Sequence, residues 1–447
     1  MNLWFESALL EDGWADRVRL VLADGRIAAV EAGVDPVVGD DRHFVALPGL
    51  PNVHSHAFQR AMAGLAEARG RTDDDFWSWR DLMYRFVGRI GPEECEAIAA
   101  LAYAEMLEAG FTRVGEFHYL HHAPDGSRYD DVAEMSGRIA AAADAAGIGL
   151  TLLPVFYAHG GFGGQPAGAA QGRFLNDVDG FAALVERAAS KLAPDGVIGI
   201  APHSLRAVTP EELRELLPVA NGGPVHIHIA EQIKEVADCV AWSGKRPVRW
   251  LLDEVSVDAR WTLVHATHVE PDEVAGIVAS GAVAGLCPIT EANLGDGLFP
   301  AAEFMALGGM IGVGSDSNVR IDAAEELRLL EYGQRLTRGA RNVLAGEDRA
   351  ATGARLFAAA VAGGGRSLGV ETGLAVGRPA DIVSLDRTDP AFAERKGDAL
   401  IDSWVFASRR AVDCVWRGGV KQAEGGRHRD RDAIEARYRA ALARLTA

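Results

Sequence analysis

The sequence predicts an α/β protein built on a (β/α)8, TIM-like barrel, with a small β-sandwich domain assembled from both chain termini. Three observations predict it. Through the middle of the chain, short runs rich in Val, Ile and Leu alternate with Ala-rich stretches, the pattern of parallel strands joined by crossover helices. Both ends instead alternate apolar and polar residues between Gly and Pro turns. Residues able to do catalysis fall directly after the apolar runs, where a barrel of this kind opens its active site.

The 447 residues exceed the roughly 250 that a bare barrel requires, which leaves room for a second domain. With 48% hydrophobic and 24% charged residues, a large core is expected and wholesale disorder is not. The net charge of −18 argues against nucleic acid as a partner, because such binding needs a basic face to neutralise phosphates. It leaves room for a local basic pocket holding a small anion. Cys95, Cys239, Cys287 and Cys414 show no C-x-x-C spacing, which fits a reducing compartment. The N-terminal stretch MNLWFESALLEDGWADRV lacks the basic start and apolar run of a secretory signal. Apolar runs fall far short of a membrane span, so a cytoplasmic protein with no membrane partner is expected.

In chain order, RVRLVLADGRIAAVEAG reads as a hairpin turning at Asp24-Gly25. Candidate barrel strands follow at 44–51, 111–117, 149–156, 196–202, 224–230, 261–266, 281–287 and 310–315. Helical i, i+3, i+4 spacing marks 93–109, 131–146, 177–193, 210–220 and 323–339. GGFGGQPAG (160–168) is expected to be a mobile loop. GLAVGRPADIVSLD (373–386) and AVDCVWRGGVKQAEGG (411–426) return to strand texture. The expected division is therefore 1–46 with 370–426 as the β-sandwich, 47–369 as the barrel, and 427–447 as a C-terminal helix.

The chemistry-bearing residues sit at strand ends. In Val53-His54-Ser55-His56 the two histidines are at i and i+2, so both rings face one side of a strand and can enter the barrel mouth. Strand five runs into Val225-His226-Ile227-His228-Ile229-Ala230-Glu231. His265 ends WTLV on strand six, and Asp316 ends IGVGS on strand eight. Three neutral imidazoles and one carboxylate suit zinc or another divalent transition ion, with a position left for a water that the ion acidifies. His43, His121, His122, His159 and His428 read as structural histidines.

The set PGLPNVHSH, HIHIAE, LVHATH and GVGSDS resembles the amidohydrolase superfamily over nearly the whole chain. The resemblance implies that His54, His56, His228 and Asp316 bind the metal. Binuclear members carry a carboxylated Lys on strand four; here that strand reads GVIGIAPHSLRAV, so one divalent ion, zinc first, is implied. HIAE resembles the deaminase branch, where the carboxylate matching Glu231 shuttles protons and the histidine matching His265 positions the attacking water, with Asp316 also catalytic.

Further motifs, HSHAFQRAMAGLAE, FWSWRDLMY, GEFHYLHH and APHSLRAV, are similar to those of the N-formimino-L-glutamate deiminases of histidine degradation. That similarity implies a small dicarboxylate amidine as substrate, bound through Gln59, Arg80, Tyr119, His203 and Arg206. Paired guanidiniums agree with it, since Arg forks match carboxylates bidentately. The implied reaction is attack of an activated water on the formimino carbon, with Glu231 protonating the departing nitrogen; ammonia and N-formyl-L-glutamate result. Relatives of this kind are often homodimers. Phe76, Trp77 and Trp79 read as packing that shapes a lid, although Arg80 could instead stack on Trp77 or Trp79. Two alternatives stand beside this reading: a deaminase of a nucleobase or related heterocycle, and a catalytically dead relative that keeps the barrel as an assembly or binding scaffold.

Overall fold

The computed structural model describes residues 1–68 and 76–446, excluding the side chains of residues 76–78 and 81. The lid-packing expectation for Phe76 and Trp77 lies outside the described residues.

Eight parallel strands form the expected barrel. They are Leu50–Ser55, Phe111–His118, Gly149–Phe156, a fourth in two pieces (Val197–Ile198 and Ala201–Pro202), Val225–Ile229, Trp261–His265, Val283–Leu286 and Met310–Val313. Each pairs in parallel with the next, and the eighth returns to the first at Val313↔Asn52 and Asp316↔Ser55. Strand four meets strand five at Ile200↔Val225, which closes the ring. Six of the strands are buried along their whole length, because helices cover the outside and side chains fill the inside. That double burial is why their sequences run apolar instead of alternating.

The first barrel strand is a correction. Of the run 44–51 only Leu50 and Pro51 belong to the barrel; Asp41–Pro48 pairs parallel with Asn2–Leu10 and antiparallel with Ile382–Leu385 in the terminal sheet. Only Gly49 separates it from Leu50–Ser55, and a Cβ at Gly49 would collide with the Thr112 side chain. The passage from one sheet to the other therefore requires glycine.

Helices appear where helical spacing predicts them: Pro92–Glu108, Glu134–Ala146, Val178–Ala189, Pro210–Leu216 and Ala323–Arg338. Their starts are chemically marked. Asp177 accepts from Gly180 N, Thr209 and Glu212 form a reciprocal capping box, and Asp322 accepts from Glu325 N. Thr352–Ser367 is a further helix despite its Gly363-Gly364-Gly365 run. A Cβ at Gly363 would run into the Ile311 carbonyl and one at Gly364 into Pro51, so these glycines let the helix lie directly on strands eight and one.

The termini form one continuous eight-stranded mixed sheet. It curls over its own core of Leu3, Phe5, Leu20, Ile27, Ile382 and Trp416, and its far edge returns to bridge Arg26 with Pro379. Asp24 (φ 49°) and Gly25 (φ 75°) make the expected hairpin turn. The C-terminal helix begins at Arg431, after a two-residue strand at Arg427–His428. Arg431 ties it to Glu105 and Glu108 of the Pro92–Glu108 helix. All four cysteines are free and buried. Among the described residues no helix is long and apolar enough to cross a membrane.

Candidate active site

Four side chains from three strand ends converge on one point. His54 is the fifth residue of strand one and His56 lies just past its end; their Nε2 atoms are 3.2 Å apart. His228 Nε2, from strand five, is 3.0 Å from His54 Nε2. Asp316 Oδ1, after strand eight, lies 3.5 Å from His54 Nε2 and 3.4 Å from His56 Nε2. Donors about 2.0–2.1 Å from a zinc ion are about 3.0–3.4 Å from one another. The four side chains thus trace the edges of a coordination shell, and their donor set fits a divalent ion.

The surroundings prepare the donors for that task. His56 Nδ1–H donates to Phe117 O at 2.9 Å, which leaves Nε2 with its lone pair facing the centre. Burial pushes the His54 imidazole down to about 3 and lowers His56 and His228 as well, so the rings are neutral at pH 7. Burial pushes the Asp316 carboxyl up, but His54, His265 and His56 outweigh it and hold it well below the usual range. Neutral imidazoles and an ionised carboxylate are the forms that bind metal.

The backbone at these strand ends is unusual. Ala230 (φ 51°), His265 (φ 67°) and Asp316 (φ 46°) adopt left-handed conformations, which cost about 1–3 kcal/mol each for non-glycine residues. Hydrogen bonds hold two of them, Asp316 and Ala230. Asp316 N–H donates to His54 O and His56 N–H donates to Asp316 O, both at 2.9 Å, clasping strand eight to strand one. Glu235 accepts the N–H groups of Ala230 (3.3 Å) and Glu231 (3.1 Å), fixing the turn that carries Glu231.

Beside the cluster, His265 Nε2 lies 3.7 Å from Asp316 Oδ2 and 3.9 Å from Glu231 Oε1. Burial pushes Glu231 up to about 7, against the pull of His265 and Arg206. Burial lowers His265, but Glu231, Glu291 and Asp316 prevail and raise it to about 10. An acid and a base of shifted strength thus face the same space as the four-donor cluster.

Residues 45–421 match the amidohydrolase family, and residues 3–44 match the N-terminal domain of formimidoylglutamate deiminase HutF. The chain belongs to the amidohydrolase family. Formimidoylglutamate deiminase of Pseudomonas aeruginosa is 53% identical over 431 residues, covering 95% of each chain. The 8-oxoguanine deaminase of that organism is 29% identical, covering 96% of this chain and 95% of its own. The crystal structure of an amidohydrolase from Brucella melitensis matches with a TM-score of 0.97 at 55% identity over all of both chains. A zinc-bound adenosine deaminase from Xanthomonas campestris matches at 0.81 and 22% identity, covering 100% and 98% of the two chains, a likeness of fold alone.

In this amidohydrolase a cavity of about 740 Å³ opens over the cluster, lined by all five residues expected to bind substrate. Gln59 Nε2 donates to the Tyr119 hydroxyl at 3.0 Å. His203 stands edge-on to Tyr157 (4.7 Å) and His228 (5.0 Å). Burial and then Arg206 keep its imidazole neutral. Arg206 and Arg80 are both half-buried on the cavity wall, and Arg80 sits 5.5 Å from the Tyr84 ring. The 160–168 loop contributes Gly160, Gly161, Phe162 and Gln165 to the wall, with Phe162 stacked on Trp242 at 5.5 Å.

Histidines read as structural are bonded as such. His121, His122 and His428 donate to the carbonyls of Val155, Leu175 and Ala146, each at 2.8 Å. His159 pairs with Glu212 at 2.9 Å, and His43 with Asp41 at 3.0 Å. His226 donates to Ser367 O at 2.9 Å, one layer below His228. Sequence reading missed Glu235 and Glu291, whose carboxylates are buried in the first turns of the helices after strands five and seven. A Glu in the first turn of a helix ordinarily marks a solvated face; here the strand-end N–H groups that the two carboxylates accept from, and His265 for Glu291, draw them inward.

Proposed function

We propose that this amidohydrolase is a formimidoylglutamate deiminase, converting N-formimino-L-glutamate and water to N-formyl-L-glutamate and ammonia. The observation that carries it is Arg206 and Arg80 on one cavity wall with the four-donor cluster. Two guanidiniums answer two carboxylates, and charge-assisted pairs of this kind are the strong ones in a partly dry site. The name borne by the Pseudomonas aeruginosa relative supports the same reading.

In this reading His54, His56, His228 and Asp316 hold a single divalent ion. Zinc is the first choice for such donors, and the absence of Lys from GVIGIAPHSLRAV favours one ion over two. When bound, the ion supplies Lewis acidity and lowers the pKa of a water toward neutrality. Asp316 and His265 orient the nucleophile toward the formimino carbon. Glu231, pushed up to about 7 by burial, exchanges protons readily near neutral pH and hands one to the departing nitrogen. Arg206, Arg80, Gln59, Tyr119 and His203 fix the two carboxylates so that the formimino group alone reaches the cluster. The reading also carries a homodimer and a cytoplasmic location, the first open to light scattering.

The test compares ammonia release from N-formimino-L-glutamate with release from guanine, cytosine and adenosine. The reading expects the dicarboxylate to dominate; faster turnover of any heterocycle overturns it.

A further inference from the structure

We propose that Glu291 is the positioning residue for His265, an inference that rests on the deiminase reading. Glu291 belongs to the short helix Pro288–Leu294 that follows strand seven, and its carboxylate is buried. One oxygen, Oε1, accepts two donors: His265 Nδ1–H at 3.2 Å and the Cys287 N–H at 2.9 Å. The backbone bond pins the carboxylate to the end of strand seven. The imidazole bond then fixes the rotation of the His265 ring, because an acceptor at Nδ1 leaves Nε2 to face Asp316 and Glu231.

The mount is itself braced. Ile289 N–H donates to Glu326 at 3.0 Å, holding the start of the helix. The Thr290 and Ser317 hydroxyls meet at 2.9 Å, joining the helix to the loop that carries Asp316. Strands six, seven and eight are thereby locked into one frame around the reacting centre. His265 ends strand six with a left-handed backbone, which turns its side chain off the regular strand direction, and this carboxylate sets its aim. Glu291 touches neither the cavity wall nor the four-donor cluster, and it acts through the imidazole.

The test is a double-mutant cycle on the zinc-loaded enzyme with Glu291→Gln and His265→Asn, reading kcat and KM for ammonia release, bound zinc, and the proton spectrum. E291Q alone is expected to lower kcat about 10–100-fold with bound zinc unchanged and KM within about threefold. In the H265N background the same change is expected to alter kcat less than about twofold. The Nδ1 proton of His265, identified by its loss in H265N, is expected further downfield in wild type than in E291Q. Equal effects of E291Q in both backgrounds, or an unmoved Nδ1 proton, would overturn the proposal. If E291Q does not fold, Glu291→Asp, which keeps the charge and withdraws it, goes through the same cycle with the same expected signs. Wild-type turnover of formiminoglutamate is read in the same assay, so its absence counts against the functional reading. The proton signal tests the Glu291 link without substrate.

Discussion

His228 Nε2 and His54 Nε2 lie 3.0 Å apart, a separation that needs either a shared proton or a shared cation. A third nitrogen at 3.2 Å and a carboxylate oxygen at 3.5 Å from the same His54 atom make the cation the simpler account. Removing the ion with a chelator should therefore abolish turnover and lower the melting temperature, and added zinc should restore both. An ion present at a thousand times its dissociation constant stabilises the fold by about 4 kcal/mol. Elemental analysis alongside thermal unfolding checks this. Unchanged melting after verified metal loss would contradict it.

Glu231 sits 3.9 Å from His265 and outside the four-donor cluster. Glu231→Gln should keep its full metal content while kcat falls about 10²–10⁴-fold, the usual worth of a positioned acid or base. A near-normal rate would remove Glu231 from proton transfer.

Arg206 is expected to act on binding. A hydrogen bond to a charged group is worth about 1.5–3 kcal/mol, so Arg206→Met should raise KM for the dicarboxylate about 10–100-fold. Arg206→Lys should recover only part of that, since an ammonium lacks the fork. Steady-state kinetics decides; an unchanged KM would take Arg206 out of substrate recognition.

Glu116, on strand two, gives a pH prediction. Burial pushes its carboxyl up to about 8, while the Ala57 N–H and the Ser55 and Tyr103 hydroxyls pull it down. The folded value lies above the ordinary one of 4.5, so the folded state holds the proton more tightly. The resulting stabilisation is complete below pH 4.5 and is lost as pH rises through about 8. Glu116→Gln, which is neutral throughout, should therefore gain stability over wild type between pH 5 and pH 9, by roughly 5 kcal/mol at most. Thermal unfolding at the two pH values shows the sign, and a gap that narrows or reverses would refute it.

Much of this was legible because the four-donor cluster is built from local patterns. The spacing of His54 and His56 on one strand, and the polar residues ending the runs before His228, His265 and Asp316, need no tertiary knowledge. The first barrel strand was misread for a physical reason. Asp41–Pro48 and Leu50–Ser55 are separated by one glycine and both end in buried residues, so no change of periodicity marks the switch between sheets. The Thr352–Ser367 helix was missed because three consecutive glycines lower helix propensity. Their purpose, close approach to strand eight at Gly363 and to strand one at Gly364, exists only in the folded chain. Glu235 and Glu291 are invisible likewise: their N–H partners are near in sequence, but the tight strand-end turns that aim those groups inward, and His265 beside Glu291, exist only in the folded chain.

The most direct test of the central claim is anomalous diffraction at the zinc edge from crystals of zinc-loaded protein. One peak is expected, about 2 Å from His54 Nε2, His56 Nε2, His228 Nε2 and an Asp316 oxygen. A peak elsewhere, two peaks in the barrel mouth, or none at full zinc occupancy in solution would contradict the account.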